Sequence, residues 1–534
     1  MVGHRTEVEA SEPRPRAMQT KPNVVLFFVD DMGYGDVSCL NPDGKIPTPN
    51  FDRLAREGMI ARNAHSTSAV CSPSRYGILT GRYNWRSTLQ SGIVRPYGDP
   101  LIAADRLTVA RFLSERGYHT ASLGKWHLGM GWDFEITEDV LPRHQYDAES
   151  GELLCEATDE QRGVWRDAFS RPTYGGPKRA GFQYSFGVDV PNWPPYCFIE
   201  NGHAVGTPSE WLQPRLLGNN QGSLQGPAMP YWNFEQLLPT FAHKADRYFE
   251  QRAEDKQPFF LYFASTSPHT PLAVNKKWIG SSGLDNLYAD FVVETDAIFG
   301  ELLDSLDRHG LADNTLVLFT SDNGCARYIG IPHLIERGHN PSGRFRGCKS
   351  DIWDGGHHMP FIVRWPGVVQ PGSVTDELVC QTDLLATCAD ALGEELPDEA
   401  GEDSVSMMPI LRSDGGSNRE SAIHHSIAGK FAIRTRRWKL VLCPGSGGWS
   451  KPDAEAATEG LPVVQLYDLE TDPHEDRNLC EAHPDIVREL LGRLKQHIAD
   501  GRSTTGAKQP NDADIDIWKL DTMPDLDPSA LDDY

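Results

Sequence analysis

The chain has 534 residues, of which 39% are hydrophobic and 24% charged, a composition typical of a globular protein, and it is long enough for more than one domain. Its 51 Lys and Arg against 75 Asp and Glu give a net charge of −24, which disfavours nucleic acid as a partner because phosphate binding requires basic surfaces. No apolar run reaches the roughly 20 residues that span a membrane, so no membrane association is predicted.

The N-terminal tail, residues 1–20, is polar and contains no apolar segment of the kind found in secretory signal peptides. The 10 cysteines are scattered singly, which is typical of free thiols rather than of a disulfide framework. The chain as it reads therefore predicts a cytoplasmic enzyme. Removal of a leader would instead make it periplasmic or secreted.

After this tail, apolar strands alternate with amphipathic helices. The apolar, β-rich run at 23–29 is typical of a central parallel strand buried on both faces. Further strands are predicted at 119–123, 258–263 and 314–319, and helices at 51–58, 107–117 and 290–308. This alternation predicts an α/β fold with a large, mostly parallel sheet between layers of helices.

Acidic residues follow two of these strands. Asp30 and Asp31 follow the first strand, and Asp322 with Asn323 follows the strand at 314–319. Because ligands of such sheets bind at the carboxyl ends of the strands, we expect the two pairs to meet at one edge. Three carboxylates and an amide oxygen suit Ca²⁺ or, alternatively, Mg²⁺. Each pair alone is also typical of a solvated turn.

The alternation is interrupted at 131–239, a stretch rich in Pro, Gly and Trp that we interpret as an insertion in a catalytic domain spanning 21–401. Its aromatic rings favour a sugar-binding wall, with Trp193 and His203 as candidate substrate contacts. The alternative is that these rings pack the insertion's own small core.

From residue 402 to 534 the pattern changes to short strands, at 431–441 and 463–469, and one amphipathic helix at 485–499. These elements predict a smaller α+β subdomain with an antiparallel sheet, which ends in an acidic tail.

Cys71 opens the segment Cys71-Ser72-Pro73-Ser74-Arg75. Pro73 suits the first turn of a helix, so Cys71 is predicted at a helix N-terminus, where a thiolate nucleophile would be favoured. Two features oppose a thiolate. Phosphatase-type loops place the Arg six positions after the Cys, whereas Arg75 stands four positions after it, and nearby carboxylates would raise the thiol pKa.

This segment, followed by Leu79-Thr80-Gly81, resembles the signature of the formylglycine-dependent, arylsulfatase-like sulfatase family of the alkaline phosphatase superfamily. The resemblance implies an alkaline-phosphatase-like fold. It also implies that Cys71 is oxidised to formylglycine by a formylglycine-generating enzyme, and that the aldehyde hydrate attacks sulfur with the help of Arg75. The implied metal ligands are Asp30, Asp31, Asp322, Asn323 and the modified residue 71.

Three further segments are similar to motifs of the same family. The segment 124–129 (GKWHLG) implies that Lys125 holds the sulfate or the hydrate oxygen and that His127 acts on the hydrate. The segment 267–271 (SPHTP) implies that His269 faces the leaving-group oxygen. The segment 346–349 (RGCK) implies Lys349 as a second sulfate-binding cation, with Arg346 as a candidate substrate contact.

Two residues depart from the family pattern, because Asp354 replaces a Glu and His358 replaces an Arg. The segment 466–479 resembles the C-terminal subdomain signature, so the resemblance runs from about 21 to 500.

The implied reaction is hydrolysis of a sulfate ester, with a sulfated carbohydrate as the expected substrate and a 6-O-sulfated galactose type as one candidate. One alternative is a phosphonate monoester or phosphodiester hydrolase of the same superfamily. The other is a catalytically silent protein that binds sulfated glycans through the same pocket.

Overall fold

A computed structural model of the protein describes residues 21–142, 156–217, 222–453 and 460–519. The predicted tail at 1–20 and the last part of the predicted acidic tail, 520–534, lie outside these residues. Within the described ranges no helix is both long and apolar enough to cross a membrane.

The strands are β1 Asn23–Val29, β2 Met59–Ala61, β3 Ala64–His65, β4 His119–Lys125, β5 Tyr184–Val188, β6 Ile199–Glu200, β7 His203–Ala204, β8 Glu210–Trp211, β9 Pro227–Ala228, β10 Phe259–Ala264, β11 Thr315–Ser321, β12 Phe361–Arg364, β13 Ser373–Thr375, β14 Val379–Cys380, β15 Ala422–His425, β16 Phe431–Arg434, β17 Trp438–Val441 and β18 Gln465–Asp468.

The helices are α1 Pro49–Glu57, α2 Cys71–Thr80, α3 Val109–Ser114, α4 Asp159–Ser170, α5 Gly176–Arg179, α6 Leu237–Asp255, α7 Leu287–Arg308, α8 Ile331–Glu336, α9 Asp354–His357, α10 Leu384–Leu392, α11 Met408–Leu411 and α12 Pro484–Asp500.

Ten strands form one sheet in the order β13-β2-β12-β11-β1-β10-β4-β5-β6-β7. The consecutive strands β11, β1, β10, β4 and β5 are parallel, whereas β12 and β6 join them antiparallel. Alternate residues of β1 pack into opposite layers: Leu26 and Phe28 contact the layer of α2, α3 and α10, and Phe27 contacts that of α1, α6 and α7. The predicted α/β fold with a mostly parallel sheet between helices is confirmed.

The insertion at 131–239 contributes to this sheet, because β5 pairs in parallel with β4. Two of its tryptophans, Trp165 and Trp211, are buried and meet edge to face with ring centroids 5.0 Å apart. Both rings belong to the hydrophobic core on the side of the large sheet that α2, α3 and α10 cover. Parts of the insertion, 143–155 and 218–221, lie outside the described residues.

A four-stranded antiparallel sheet, β15-β16-β17-β18, forms the C-terminal part, and α12 covers it through Val487, Leu490 and Leu494. The stretch predicted as one strand at 431–441 divides into β16 and β17, which pair with each other across a tight connection. The predicted antiparallel C-terminal sheet is confirmed. The boundary at 401/402 stays a prediction.

Candidate active site

The candidate site lies where four neighbouring parallel strands, β11, β1, β10 and β4, end at one edge of the large sheet. Asp30 and Asp31 follow β1, and Asp322 follows β11. The backbone N–H of Asp31 donates to Oδ1 of Asp322 at 3.1 Å, so the two acidic pairs are in direct contact. The predicted meeting of these pairs is confirmed, because β1 and β11 are adjacent and parallel.

Cys71 is the first residue of α2 and is 1% exposed. Its sulfur lies within 4.8 Å of oxygen or nitrogen atoms of Asp30, Asp31 and His269. Helix α2 ends at Gly81, which adopts φ +65° where a side chain would be strained and would crowd neighbouring atoms. The Thr-Gly end of the signature is thus the point at which α2 stops.

Each carboxylate of the cluster is matched by a buried cation. The Nζ atom of Lys125 lies 2.8 Å from Asp30, and Nζ of Lys349 lies 2.6 Å from Asp31. Burial alone would raise the pKa of both carboxyls, but these ammonium groups outweigh it, and both pKa values lie below their ordinary range.

Arg75 lies one helical turn after Cys71, and its guanidinium lies 2.7 Å from Asp322 and 3.4 Å from Asp30. Burial, reinforced by Asp30, raises the pKa of Asp322 despite this contact. Burial also raises the pKa of the Cys71 thiol to about 11, with Lys125 and Lys349 opposing the shift. An unmodified Cys71 is therefore a neutral thiol at pH 7.

Asn323 gives a direct test of whether these residues suit a cation. Its Nδ2 donates to Oδ1 of Asp31 at 2.8 Å, whereas its Oδ1 is buried and has no hydrogen-bond partner among the described residues. A buried amide oxygen without a donor costs free energy unless something else pairs with it. Together with three carboxylates, this oxygen fits a hard cation such as Ca²⁺.

His127 follows β4 in a left-handed backbone conformation, with φ +56°. Its Nε2 lies 3.2 Å from the Val94 carbonyl, which fixes the proton on Nε2, and its buried Nδ1 has no partner in the described part of the chain. Burial, reinforced by Lys125, lowers the His127 pKa well below the ordinary value. The ring is therefore neutral, and Nδ1 can accept a proton.

Gly124 allows this segment to pass close to the next strand. Its φ is +104°, and a Cβ atom there would lie 1.9 Å from the carbonyl oxygen of Ala264 on β10. Only glycine fits this position.

His269 follows β10, and its Nδ1 lies 2.6 Å from the Thr270 carbonyl, so Nδ1 carries the proton of the neutral ring. Its Nε2 points to Oδ2 of Asp31 at 3.6 Å. Burial lowers the His269 pKa, although Asp31 opposes the shift. All the predicted catalytic and metal-binding residues therefore lie in one buried cluster.

Known proteins share this arrangement of the chain. A family model described as Sulfatase matches residues 22–394, and a second, described as N-sulphoglucosamine sulphohydrolase, C-terminal, matches 348–503. The N-acetylgalactosamine-6-O-sulfatase of Bacteroides thetaiotaomicron is 32% identical over 514 residues, which cover 89% of this chain and 93% of that protein. This chain belongs to the sulfatase family.

Other sulfatases agree with this assignment. Human arylsulfatase A is 31% identical over 493 residues, which cover 90% of this chain and 87% of that protein. A solved sulfatase structure from work on glycosaminoglycan metabolism by Bacteroides thetaiotaomicron superposes with a TM-score of 0.73 at 30% identity, covering 89% of this chain and 99% of its own. The resemblance read from the motifs is confirmed, and the protein is a sulfuric ester hydrolase.

The structure adds residues to this sulfatase site that no motif indicates. The hydroxyl of Tyr262, on β10, lies 3.4 Å from the Arg75 guanidinium, and Oδ1 of Asp189 accepts from the His127 backbone N–H at 3.2 Å. Burial raises the Asp189 pKa to about 6. Tyr262 lies within an apolar strand, and Asp189 follows β5 in the insertion, so neither has a signal in the sequence.

The three predicted substrate contacts lie in different surroundings. Trp193 meets the His127 ring edge to face, with centroids 5.4 Å apart, so it borders the cluster. Arg346 stacks on Trp353 at 3.6 Å and donates to the Glu475 carbonyl. His203 is exposed on β7, the last strand of the sheet, and no described contact joins it to the cluster. The substrate roles of all three stay predictions.

Asp354 and His358, the two residues that depart from the sulfatase pattern, belong to a buried network of ion pairs. Asp354 accepts from His358 at 3.1 Å, from Arg434 at 3.0 Å and from Lys439 at 2.8 Å. Arg434 belongs to β16 and Lys439 to β17 of the C-terminal sheet. A guanidinium from the C-terminal sheet, that of Arg434, therefore contacts Asp354.

Proposed function

We propose that this protein hydrolyses a sulfate ester on a sulfated carbohydrate, with formylglycine at position 71 and a Ca²⁺ ion, or alternatively Mg²⁺, as its cofactors. The observation that carries the proposal is the set of three buried cations, Arg75, Lys125 and Lys349, around the first residue of α2. Several fixed positive groups in a water-poor site stabilise the charge that develops on the three sulfuryl oxygens. This local arrangement also explains how a protein of net charge −24 could accept an anion.

The residues that would hold the cation are Asp30, Asp31, Asp322, Asn323 and residue 71. When bound, the cation and the aldehyde hydrate would supply charge neutralisation and an oxygen nucleophile at neutral pH. Lys125 and Lys349 are each oriented by a carboxylate, so their ammonium groups would remain in place while a sulfate group binds.

Two histidines are suited to opposite proton transfers. His269 would first take up a proton at Nε2, where Asp31 would stabilise the charged ring, and would then give this proton to the leaving oxygen, while its Nδ1–H stays held by the Thr270 carbonyl. His127 would accept a proton at Nδ1, because its Nε2–H is held by the Val94 carbonyl.

The carbohydrate part of the proposal is supported by relatives. The Bacteroides thetaiotaomicron protein at 32% identity is named an N-acetylgalactosamine-6-O-sulfatase, and it aligns with 89% of this chain. A 6-O-sulfated amino sugar is therefore the first substrate to test.

The test begins with protein produced together with a formylglycine-generating enzyme. The mass of the proteolytic peptide that contains residue 71 should be that of the aldehyde form. The matured protein should then hydrolyse an aryl sulfate and N-acetylgalactosamine 6-sulfate faster than an aryl phosphonate monoester, and Cys71→Ala should abolish turnover.

Other outcomes identify the alternatives. Faster turnover of the phosphonate by matured protein would make it a phosphonate monoester hydrolase. An unmodified thiol, with binding of sulfated glycans but no hydrolysis, would make it a glycan-binding protein. Substantial activity of Cys71→Ala would contradict the mechanism.

A further inference from the structure

A groove of about 460 Å³ opens beside the catalytic cluster, a volume within the range of about 300–1,000 Å³ typical of small-molecule sites. We call it the Tyr328 groove; its defining side chains are those of Arg215, Asn233, Glu235, Thr270, Leu272 and Tyr328. We infer that this groove binds the neighbouring sugar unit of a sulfated oligosaccharide, next to the unit that carries the scissile sulfate. The inference rests on the proposed function and specifies its substrate as more than a monosaccharide.

The groove begins where the leaving group would depart. Thr270 and Pro271, which line it, directly follow His269 in the chain. If His269 faces the leaving oxygen, the sugar attached to that oxygen lies on the same side as these two residues. Whatever is linked to that sugar then extends along the groove.

Tyr328 connects the groove to the cluster. Tyr328 is 45% exposed as a whole residue, while its hydroxyl forms a side-chain hydrogen bond with Thr270. Lys349 is close enough for its charge to act on this hydroxyl, and burial of the hydroxyl raises the Tyr328 pKa. An exposed ring held at its hydroxyl end offers a fixed flat surface to a ligand.

The residues that line the Tyr328 groove suit a sugar better than an apolar alcohol such as a steroid. Apolar side chains such as Leu272 form part of the wall, and three polar side chains, those of Arg215, Asn233 and Glu235, form another part. A sugar presents an apolar ring face together with hydroxyl groups, so it can contact both. A steroid would cover the three polar groups without replacing their hydrogen bonds to water, which costs free energy.

Two of these polar groups have unused hydrogen-bonding capacity. Oδ1 of Asn233 accepts from the Glu235 backbone N–H at 2.9 Å, while its Nδ2 makes no hydrogen bond to any residue that the structure describes. Arg215 forms no ion pair across the described ranges of the chain. Both can therefore donate to hydroxyl or acidic groups of a neighbouring sugar.

The experiment compares matured protein on four sulfate esters: an aryl sulfate, N-acetylgalactosamine 6-sulfate, a disaccharide that carries the same sulfated sugar, and a sulfated steroid. We expect kcat/KM of the wild type to be about 10-fold higher for the disaccharide than for the monosaccharide. In the double variant Arg215→Ala/Asn233→Ala this ratio should fall to near one. Arg166→Ala, an exposed arginine on α4, is the matched control and should keep the wild-type ratio.

Tyr328 is tested separately because it lies next to His269. Tyr328→Phe keeps the ring and should keep most of the preference for the disaccharide, whereas Tyr328→Ala should lose it. Melting temperatures of all variants show whether each one is folded.

The outcomes separate this inference from the proposed function. If the ratio of kcat/KM for the disaccharide to that for the monosaccharide is the same in the wild type and the double variant, the groove inference alone is overturned. The same holds if the double variant loses turnover of the steroid sulfate rather than of the disaccharide. Matured protein that hydrolyses none of the four esters would overturn the proposed function itself.

Discussion

At the scale of single residues, substitution of Asn323 tests cation binding without removing a charged group of the site. Asn323 follows β11, it carries no charge, and its Oδ1 is buried without a partner in the described residues. We predict that Ca²⁺ raises the melting temperature of the wild type, because a ligand that binds only the folded state stabilises it. In Asn323→Ala, which lacks this ligand atom, the Ca²⁺ concentration needed for the same rise should increase roughly tenfold or more.

The measurement is a thermal melt at a series of Ca²⁺ concentrations after treatment with a chelator. Gln496→Ala, which removes an exposed amide on α12, is the control and should respond as the wild type does. An unchanged Ca²⁺ response of Asn323→Ala would show that Asn323 is not a ligand.

At the scale of elements, α7 carries a carboxyl that opposes stability at neutral pH. Glu294 is 2% exposed, and one of its oxygens accepts from the Asn275 backbone N–H at 2.9 Å. Burial raises its pKa from 4.5 to about 7. The folded state therefore binds this proton more tightly than the unfolded state, so the contribution of Glu294 to stability falls as pH rises from about 4.5 to 7.

We predict that Glu294→Gln stabilises the protein at pH 8, by on the order of 1–3 kcal/mol, and changes little at pH 4.5. The amide oxygen of Gln can still accept from Asn275, and the penalty of burying a charge is removed. Urea unfolding at both pH values measures the difference, with Glu301→Gln on the exposed side of α7 as control. A destabilised Glu294→Gln at pH 8 would mean that the carboxylate has an important partner.

At the scale of the whole molecule, buried ion pairs join the C-terminal sheet to the catalytic part. Nζ of the fully buried Lys439 lies 2.8 Å from Asp354 and 2.8 Å from Glu475. Lys439→Met leaves two buried carboxyls without this partner, so we predict a loss of about 3–5 kcal/mol in the free energy of unfolding.

The matched control is Arg437→Ala, at the residue directly before β17. Arg437 pairs with Asp468, but its side chain is 50% exposed, and exposed pairs contribute little. Urea unfolding compares the two variants. Equal stabilities of Lys439→Met and Arg437→Ala would contradict the role given to the buried network.

Burial of residue 71 also has a consequence for maturation. Cys71 is 1% exposed, and the chain around it is covered by segments distant in sequence: Ser68 pairs with His425, and Arg82 binds Asp512 near the end of the described chain. We predict that a formylglycine-generating enzyme converts Cys71 in an unfolded chain or a peptide but not in the folded protein. Peptide mass after incubation of both forms measures this, and conversion of the folded form would contradict it.

The local sequence was sufficient to predict the strands of the large sheet and the meeting of the two acidic pairs at its edge. An apolar run such as Asn23–Val29 encodes its own burial on both faces, and parallel strands necessarily end at a shared edge. The motifs around Cys71, Lys125 and His269 identified the family because each has its own pattern over a few residues.

Only the tertiary structure decided which side chains from distant segments complete and border the site. Tyr262 reads as one more apolar strand residue, and Tyr328 has no motif, yet the first contacts Arg75 and the second bonds to Thr270. In the insertion, Trp165 is a core residue while Trp193 borders His127, and composition alone does not distinguish them. The physical reason is that periodicity and strand ends are local properties of the sequence, whereas such contacts depend on the path of the folded chain.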